Sequence, residues 1–572
     1  MRVIKNNNLF AIGVIFIGLL IILATVLLAS VPPVDRDALI HHLAIPKLYL
    51  KAGKIIDLPC MEYSYYPMNL DMLYMVSLYF GSDIAPKFIH FSFALFTAFL
   101  VFQYLNNRLN RLYALLGSIL FLSIPIIVKL SITVYVDLGL VFFSTASLLA
   151  ILKCVENGFK VKYILIAGAA CGLAMGTKYN GLITFLLLSL LVPFLYSRFS
   201  KDKSQNKNSL NSSVKSIAWA FIFVFSAFVI FSPWTIRNYI WTKNPLYPFY
   251  NSVFTSKIEN PCVISKFTED SGATGLGILG YRMLLYEENW WETAFLPIRI
   301  FFQGEDNNPK YFDGRLSPLL LIFSIFAFIA FNKKKELYDY EKNVFLAFAA
   351  LFFFFAFFST ELRIRYFAPS IPPLVILSVY GVKNLVEEAL GGFIVQSQFR
   401  AGVIKRALPL AVLIVGAAYM IISTAGYFAE QFKTVKPLEY LSGKISRDDY
   451  IASFRYEYPA MQYINKKLPP DATVLFFYLG GRGYYCDRNY IPDSGNSVKM
   501  LYNMISSIQS DKDVRSFFKQ VGITHFLINN AIFMRSLGAN INTNESNAIS
   551  LFMHKHAKKL FDEKGYSIFQ LN

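Results

Sequence analysis

The spacing of its apolar runs is what most restricts this chain. Stretches long enough to cross a hydrocarbon layer recur from Leu9 to Phe428, separated mostly by short basic connectors. In order they fall near 9–30, 84–105, 112–130, 134–152, 163–177, 181–197, 216–235, 317–332, 344–359, 367–385 and 407–428, about eleven spans. A bilayer offers no water to satisfy backbone groups, so each run must be helical and the helices must bundle. Only 16% of residues are charged, against 55% hydrophobic, and the mean hydropathy is +0.43. The expected fold is therefore an all-α polytopic membrane bundle. The first run is too long for a signal-peptide core, although Leu28-Ala29-Ser30 loosely imitates a cleavage site.

The net charge of +18 would suit a nucleic-acid binder, but its distribution does not. Positive charge gathers at 106–111, 153–162, 197–215, 332–342 and 383–406, each with at least two Lys or Arg. These connectors alternate with the remaining ones as the positive-inside bias requires. The N-terminus is then cytoplasmic, and 31–83, 236–316 and 429–572 face outward. The expected location is the cytoplasmic membrane, with no nucleic acid as partner.

The five cysteines have no metal-ligand spacing. Cys60, Cys262 and Cys486 fall on the outer side. A Cys60–Cys262 disulfide is one option, which the odd number of outer cysteines disfavours.

Within the outer segments, Pro67–Gly81 is apolar but too short to span, and reads as an aromatic-rich helix along the interface. Gly168, Gly172 and Gly176 lie four apart on one face, as a close helix–helix contact demands. After Lys436 the pattern changes to short helices and strands: a helix at 458–467, a strand at 473–478, a strand at 484–492, a helix at 514–520 and a strand at 523–529. A last helix near 547–562 and a strand at 566–571 follow. Residues 1–430 thus form a transmembrane domain and 431–572 an outer α/β domain. The turn Gly480-Gly481-Arg482-Gly483 reads as a plain turn first and a phosphate cradle second.

Charged residues gather at the outer ends of several spans. Asp35 and Asp37 follow the first, Asp137 opens the fourth in ITVYVDLG, and Arg237 follows the seventh. Arg363 and Arg365 precede the tenth in TELRIRYFAPSIPP. Each alone can be a solvated helix end or an ion pair. Lys178, just past the glycine stripe, is explained by snorkelling first and by ligand contact second.

In this order and topology the chain resembles the polytopic glycosyltransferases of the GT-C fold that use lipid-phosphosugar donors, among them protein O-mannosyltransferases and the aminoarabinose transferase of lipid A. The resemblance covers about residues 9–430. It rests on DRDALIHHLAIPKLYL, YYPMNLDMLY, YVD, GLAMGTKYNG, PWTIRNYIWTKNPLYPF, FDGRLSPLLL and RIRYFAPSIPP. It implies a first-loop catalytic carboxylate: Asp37 fits the pattern best, Asp35 is its rival, and Asp137 is a further catalytic candidate. Substrate-binding candidates are Arg365, Arg237, Lys178, His42 and Tyr366. The implied partners are a polyprenyl-phosphate sugar, a glycan, lipid or protein acceptor, and membrane lipids. The chemistry agrees, because a lipid phosphate leaves without a general acid. It asks only for a base at the acceptor hydroxyl and cations at the phosphate. No cofactor is called for. Asp35-Arg36-Asp37 is formally a D-x-D triplet, so a divalent metal stays an alternative. Two rival readings remain. A transporter of lipid-linked glycans would place its charges near the midplane, and a non-catalytic assembly subunit would tolerate loss of both first-loop acids.

Overall fold

The computed structural model describes residues 2–200, 209–254, 262–267, 278–329, 339–359, 362–391, 401–493, 496–508 and 513–571. The basic connectors at 201–208, 330–338 and 392–400, including most of the polar linker 201–213, lie outside the described residues.

Eight described helices are long and apolar enough to cross a membrane, nine if one bent pair counts as a single span. One of the eleven runs is broken where a simple rod was expected. The run at 112–130 is broken into Arg111–Ser123 and Pro125–Ser131, bent by 67°. Ile124 is extended between them, since the residue before proline avoids the helical region and Pro125 has no N–H to carry the ladder on. The fifth run is a 17-residue helix, Val161–Thr177, about 25 Å long. In the eighth, helix is described only for Pro318–Phe326.

Side-chain contacts mark the two ends of the bundle. At one, the Arg108 guanidinium grips Glu341 through Nε and Nη2, both at 2.9 Å, and reaches Glu156 at 3.3 Å. At the other, Lys129 pairs with Asp313 (2.9 Å), and Lys178 with Asp137 (2.6 Å). The broken helix and the 17-residue helix both run from the first end to the second. Of the glycine stripe, Gly168 and Gly172 leave no room for a Cβ against Phe223, Ser226 and Ala227 of the Ser209–Thr242 helix, while Gly176 abuts Asn69. The spacing therefore serves close packing, as expected.

The interfacial segment is the helix Asn69–Tyr79. Leu73, Val76, Tyr79 and the following Phe80 are exposed, while Leu70, Asp71 and Tyr74 are buried. Its loop neighbour Cys60 is bonded to Cys262, 202 residues on, so the pairing disfavoured by the odd cysteine count is the one that forms. Cys486, the third cysteine expected on the outer side, is buried and free.

The C-terminal part carries a five-stranded sheet in the order β2-β1-β3-β5-β4. Its strands are β1 Thr473–Phe477, β2 Asn489–Ile491, β3 His525–Asn529, β4 Ala557–Glu563 and β5 Tyr566–Leu571. The first three are parallel, and β5 and β4 add on antiparallel. TVLFF and HFLIN are central and almost wholly buried, as unbroken apolar runs should be. The expected helix near 547–562 is displaced: the helix is Thr543–His556, and the next seven residues pair as the edge strand β4. Lys564 and Gly565, both with positive φ, close the β4–β5 hairpin, and that turn overrides the charge-rich, helix-prone AKKLFDE. The second expected strand shrinks to three residues, and helices Ser497–Ser506 and Asn530–Ala539 were not foreseen.

Candidate active site

A cavity of about 460 Å³ opens at the Lys178 end of the bundle, walled by Asp37, His41, His42, Tyr63, Tyr66, Asp71, Lys178, Arg363, Arg365 and Tyr366, with Arg36 at its edge. Local backbone chemistry explains how the first loop supplies three of these groups. Pro32 and Pro33 end the first helix in an extended stretch. Ala38–His42 then forms a π turn, closed by the Leu43 N–H on the Ala38 carbonyl at 3.0 Å. His41, four residues after Asp37, would share its face in a regular α-helix; the widened turn brings His42, five residues on, to the same wall.

Asp37 accepts from Arg365 Nη1 at 2.7 Å, and both side chains are largely shielded from solvent. Burial alone would push the Asp37 carboxyl up, but the guanidinium outweighs it and holds the group well below the usual carboxylate range. Arg365 also lies over the rings of Tyr135 (4.7 Å) and Tyr366 (5.2 Å). Lys178 stands 4.8 Å from the same Tyr366 ring, so one aromatic face spaces two cations.

His42 Nδ1 and Asp71 Oδ1 are 2.7 Å apart. Burial raises Asp71 to about 7 and lowers His42 to about 3, so below neutrality the pair keeps one proton, on the carboxyl side. His41, also pushed down to about 3 by burial, stacks on Tyr63 at 4.5 Å. Among the described residues no cluster of three His, Cys, Asp or Glu side chains converges as a metal set would.

The sequence candidates therefore separate. Asp37, His42, Lys178, Arg365 and Tyr366 come together on the cavity wall. Asp137 stands behind it, 1% exposed, holding Lys178. Asp35 does not line the cavity. Burial pushes its carboxyl up, against the pull of Lys87, Arg455 and Lys129. Arg237 is not a lining side chain either. Its Nη2 donates to the Tyr66 carbonyl at 3.1 Å, and its guanidinium lies near Trp234 and Trp241, so it braces a wall residue from outside. Asp71 and His41 were not singled out from the sequence. An acid inside the apolar NLDMLYMVSLY helix is the signal that marks Asp71.

The Gly480–Gly481 turn is already filled. Its two N–H groups donate to Asp493 at 3.1 and 2.8 Å, so the cradle holds the protein's own carboxylate.

Comparison with known proteins places this geometry. The apo form of ArnT from Cupriavidus metallidurans superposes with a TM-score of 0.54 at 13% identity, over 99% of this chain and 98% of that one. The same protein bound to undecaprenyl phosphate gives 0.50 at 14%, over 97% of each chain. The chain has the GT-C glycosyltransferase fold. A third GT-C structure, the apo oligosaccharyltransferase of Archaeoglobus fulgidus, aligns at 0.50 and 10% identity, over 96% of this chain and 74% of that one. Residues 56–244 also match the dolichyl-phosphate-mannose-protein mannosyltransferase family. That stretch carries Asp71, Asp137, Lys178 and Arg237, whereas Asp37 and Arg365 lie outside it. No curated protein sequence matches the chain.

Proposed function

We propose that this chain is a glycosyltransferase that moves a sugar from a polyprenyl-phosphate-linked donor to an acceptor on the extracytoplasmic face of the cytoplasmic membrane. The observation that carries the reading is the composition of the cavity: one ionised carboxylate, Asp37, among the cations of Arg365, Lys178, Arg363 and Arg36. The acceptor oxygen bonds to the anomeric carbon as its proton passes to Asp37. The bond from that carbon to the phosphate oxygen breaks, and its electron pair leaves on the phosphate. Arg365 and Lys178 meet that charge, the guanidinium with a planar fork suited to phosphate oxygens.

Base and cation are paired in the structure. A donor phosphate competes with Asp37 for Arg365, and as it wins, burial returns the carboxyl toward a pKa at which it can accept a proton. Donor arrival thus switches the base on. The reaction so written needs no metal and should continue in a chelator. Outward placement of the cavity is supported by the alternation of basic connectors. It is supported again by the Cys60–Cys262 disulfide, which joins two segments at the cavity end and suits an oxidising compartment. Clustering of charge at one end of the bundle, rather than at its middle, favours an enzyme over a transporter.

The test is purification with native lipids, mass spectrometry of what co-purifies, and addition of candidate glycan, lipid and protein acceptors. A bound polyprenyl-phosphate sugar that loses its sugar to an acceptor is the expected result. A bound lipid-linked glycan that crosses vesicle membranes with its glycosidic bond intact would replace the enzyme with a transporter.

A further inference from the structure

The backbone of the first loop is held from both sides by the C-terminal α/β unit. Tyr485 Oη donates to the Pro33 carbonyl at 2.8 Å, and Arg455 Nε donates to the Val34 carbonyl. Beyond Asp37, the N–H groups of Gly483 and Tyr484 both donate to the Leu39 carbonyl at 3.1 Å. Lys47 Nζ returns the contact, donating to the Tyr484 carbonyl at 2.7 Å and to Asp487 at 2.6 Å. Between these clamps the chain turns as one helical segment, with the Leu39 N–H on the Asp35 carbonyl; the irregular stretch lies at its start, where Lys87 Nζ holds the Val31 carbonyl at 3.0 Å. Pro32 and Pro33 have no N–H, and 32–35 has no regular structure. In the 480–483 turn Gly480 and Gly481 have positive φ, and a Cβ on Gly483 would strike the Tyr490 ring, so the glycines set the turn whose next backbone N–H groups reach the loop. The unit has separate anchors elsewhere, Arg447 on Asp83 and Tyr450 Oη on the Val435 carbonyl.

We propose that the α/β unit is part of the catalytic apparatus, with Arg455 and Tyr485 as positioning residues that fix residues 33–39, and through them Asp37, against the cavity. The proposal rests on the glycosyltransferase reading above. Neither side chain lines the cavity, so neither belongs to the binding machinery. Their action is geometric: a displacement of about 1 Å at a reacting group costs on the order of 100-fold in rate. Arg455 also sets its charge beside Asp35, so a lysine there keeps both the charge and a donor for Val34.

The experiment compares the purified full-length chain with Arg455→Ala, Arg455→Lys, Tyr485→Phe and Lys499→Ala. The last breaks the 2.8 Å pair with Glu545 inside the α/β unit, far from the loop. Two quantities are read: kcat and donor KM for transfer, and hydrogen–deuterium exchange of residues 33–43. Arg455→Ala should lower kcat by about 10- to 100-fold with donor KM within about twofold, and should speed exchange in 33–43. Tyr485→Phe should move both in the same direction by less. Arg455→Lys should restore most of kcat, and Lys499→Ala should leave kcat and loop exchange as in the wild type. Faster loop exchange at wild-type kcat overturns the proposal, and so does lower kcat without faster exchange. A wild-type chain that transfers no sugar overturns the glycosyltransferase reading and this proposal with it. An active wild type with indifferent variants overturns this proposal alone.

Discussion

Replacing Asp37 by asparagine should move transfer and donor binding in opposite directions. Asp37 and a donor phosphate would compete for the same guanidinium, since Arg365 Nη1 sits 2.7 Å from Asp37 Oδ2. A hydrogen bond to a charged group contributes about 1.5–3 kcal/mol. Asparagine still offers its amide oxygen to Arg365, so the lower figure applies. At about 1.4 kcal/mol per decade, donor affinity should tighten by roughly tenfold. The same variant has no base, and loss of a general base costs ~100- to 10,000-fold in kcat. Donor affinity is measured by titrating a polyprenyl-phosphate sugar into the purified variant, and kcat by transfer at saturating donor. Asp35→Asn is the comparison. Its carboxyl lies off the cavity wall, so donor affinity should stay at the wild-type value. Weaker donor binding in Asp37→Asn would refute the competition, because it would make Asp37 a donor contact. Unchanged transfer would refute its role as base.

Lys178→Met leaves Asp137 buried without its partner, and breaking such a pair costs about 3–5 kcal/mol. Thermal unfolding in detergent should fall sharply, and the double variant Lys178→Met, Asp137→Asn should recover much of the loss. If the single variant melts as the wild type does, the ion pair is not what stabilises this end of the bundle. His41 should give stability a pH slope. Its folded pKa, about 3, lies below the unfolded value of about 6.5, so between those limits the unfolded chain binds the extra proton. Stability should therefore rise as pH climbs from about 3 to about 6.5, and His41→Phe, which keeps a ring on Tyr63, should flatten that rise. The Asp71–His42 pair adds little slope from about pH 4 to 6.5, because folded and unfolded forms each hold one proton there. For sidedness, Asn489→Cys should react with an impermeant thiol reagent in intact cells and Asn106→Cys should not; the reverse pattern would turn the chain over. Lys203 and Lys334, in the other basic connectors, lie outside the described residues.

Much of the helical framework was legible because a bilayer leaves one solution for a long apolar run, and the basic connectors then order the ends. Breaks within runs were harder to read. The run at 112–130 read as one span despite Pro125, and its 67° bend goes with contacts of Ile126 and Lys129 to Arg315 and Asp313, partners far away in sequence. In the cavity, Asp37, Lys178 and Arg365 were found because charge at a helix end is conspicuous. The separation of Asp37 from Asp35 was not legible. It depends on a π turn, which leaves no periodic signature, and on a single guanidinium arriving from residue 365. Arg237 showed the limit of the same logic, since charge at a helix end can brace a carbonyl as readily as face a ligand. The Cys60–Cys262 disulfide was named but disfavoured, because counting cysteines says nothing about which of them the folded loops bring within bonding reach.

The carboxylate of Asp493 in the Gly480–Gly481 turn has a consequence for traffic at the membrane surface. A pair of open N–H groups there would be a decoy, retaining phosphate head groups a short way from the place where they are needed. With Asp493 seated, an incoming anion must first expel a tethered carboxylate whose effective concentration no free lipid can match. The turn is in this sense deaf to phosphate. On the proposed reading, a lipid phosphate passes the glycine-rich turn unheld and meets its one carboxylate competitor, Asp37, only at the cations of the cavity.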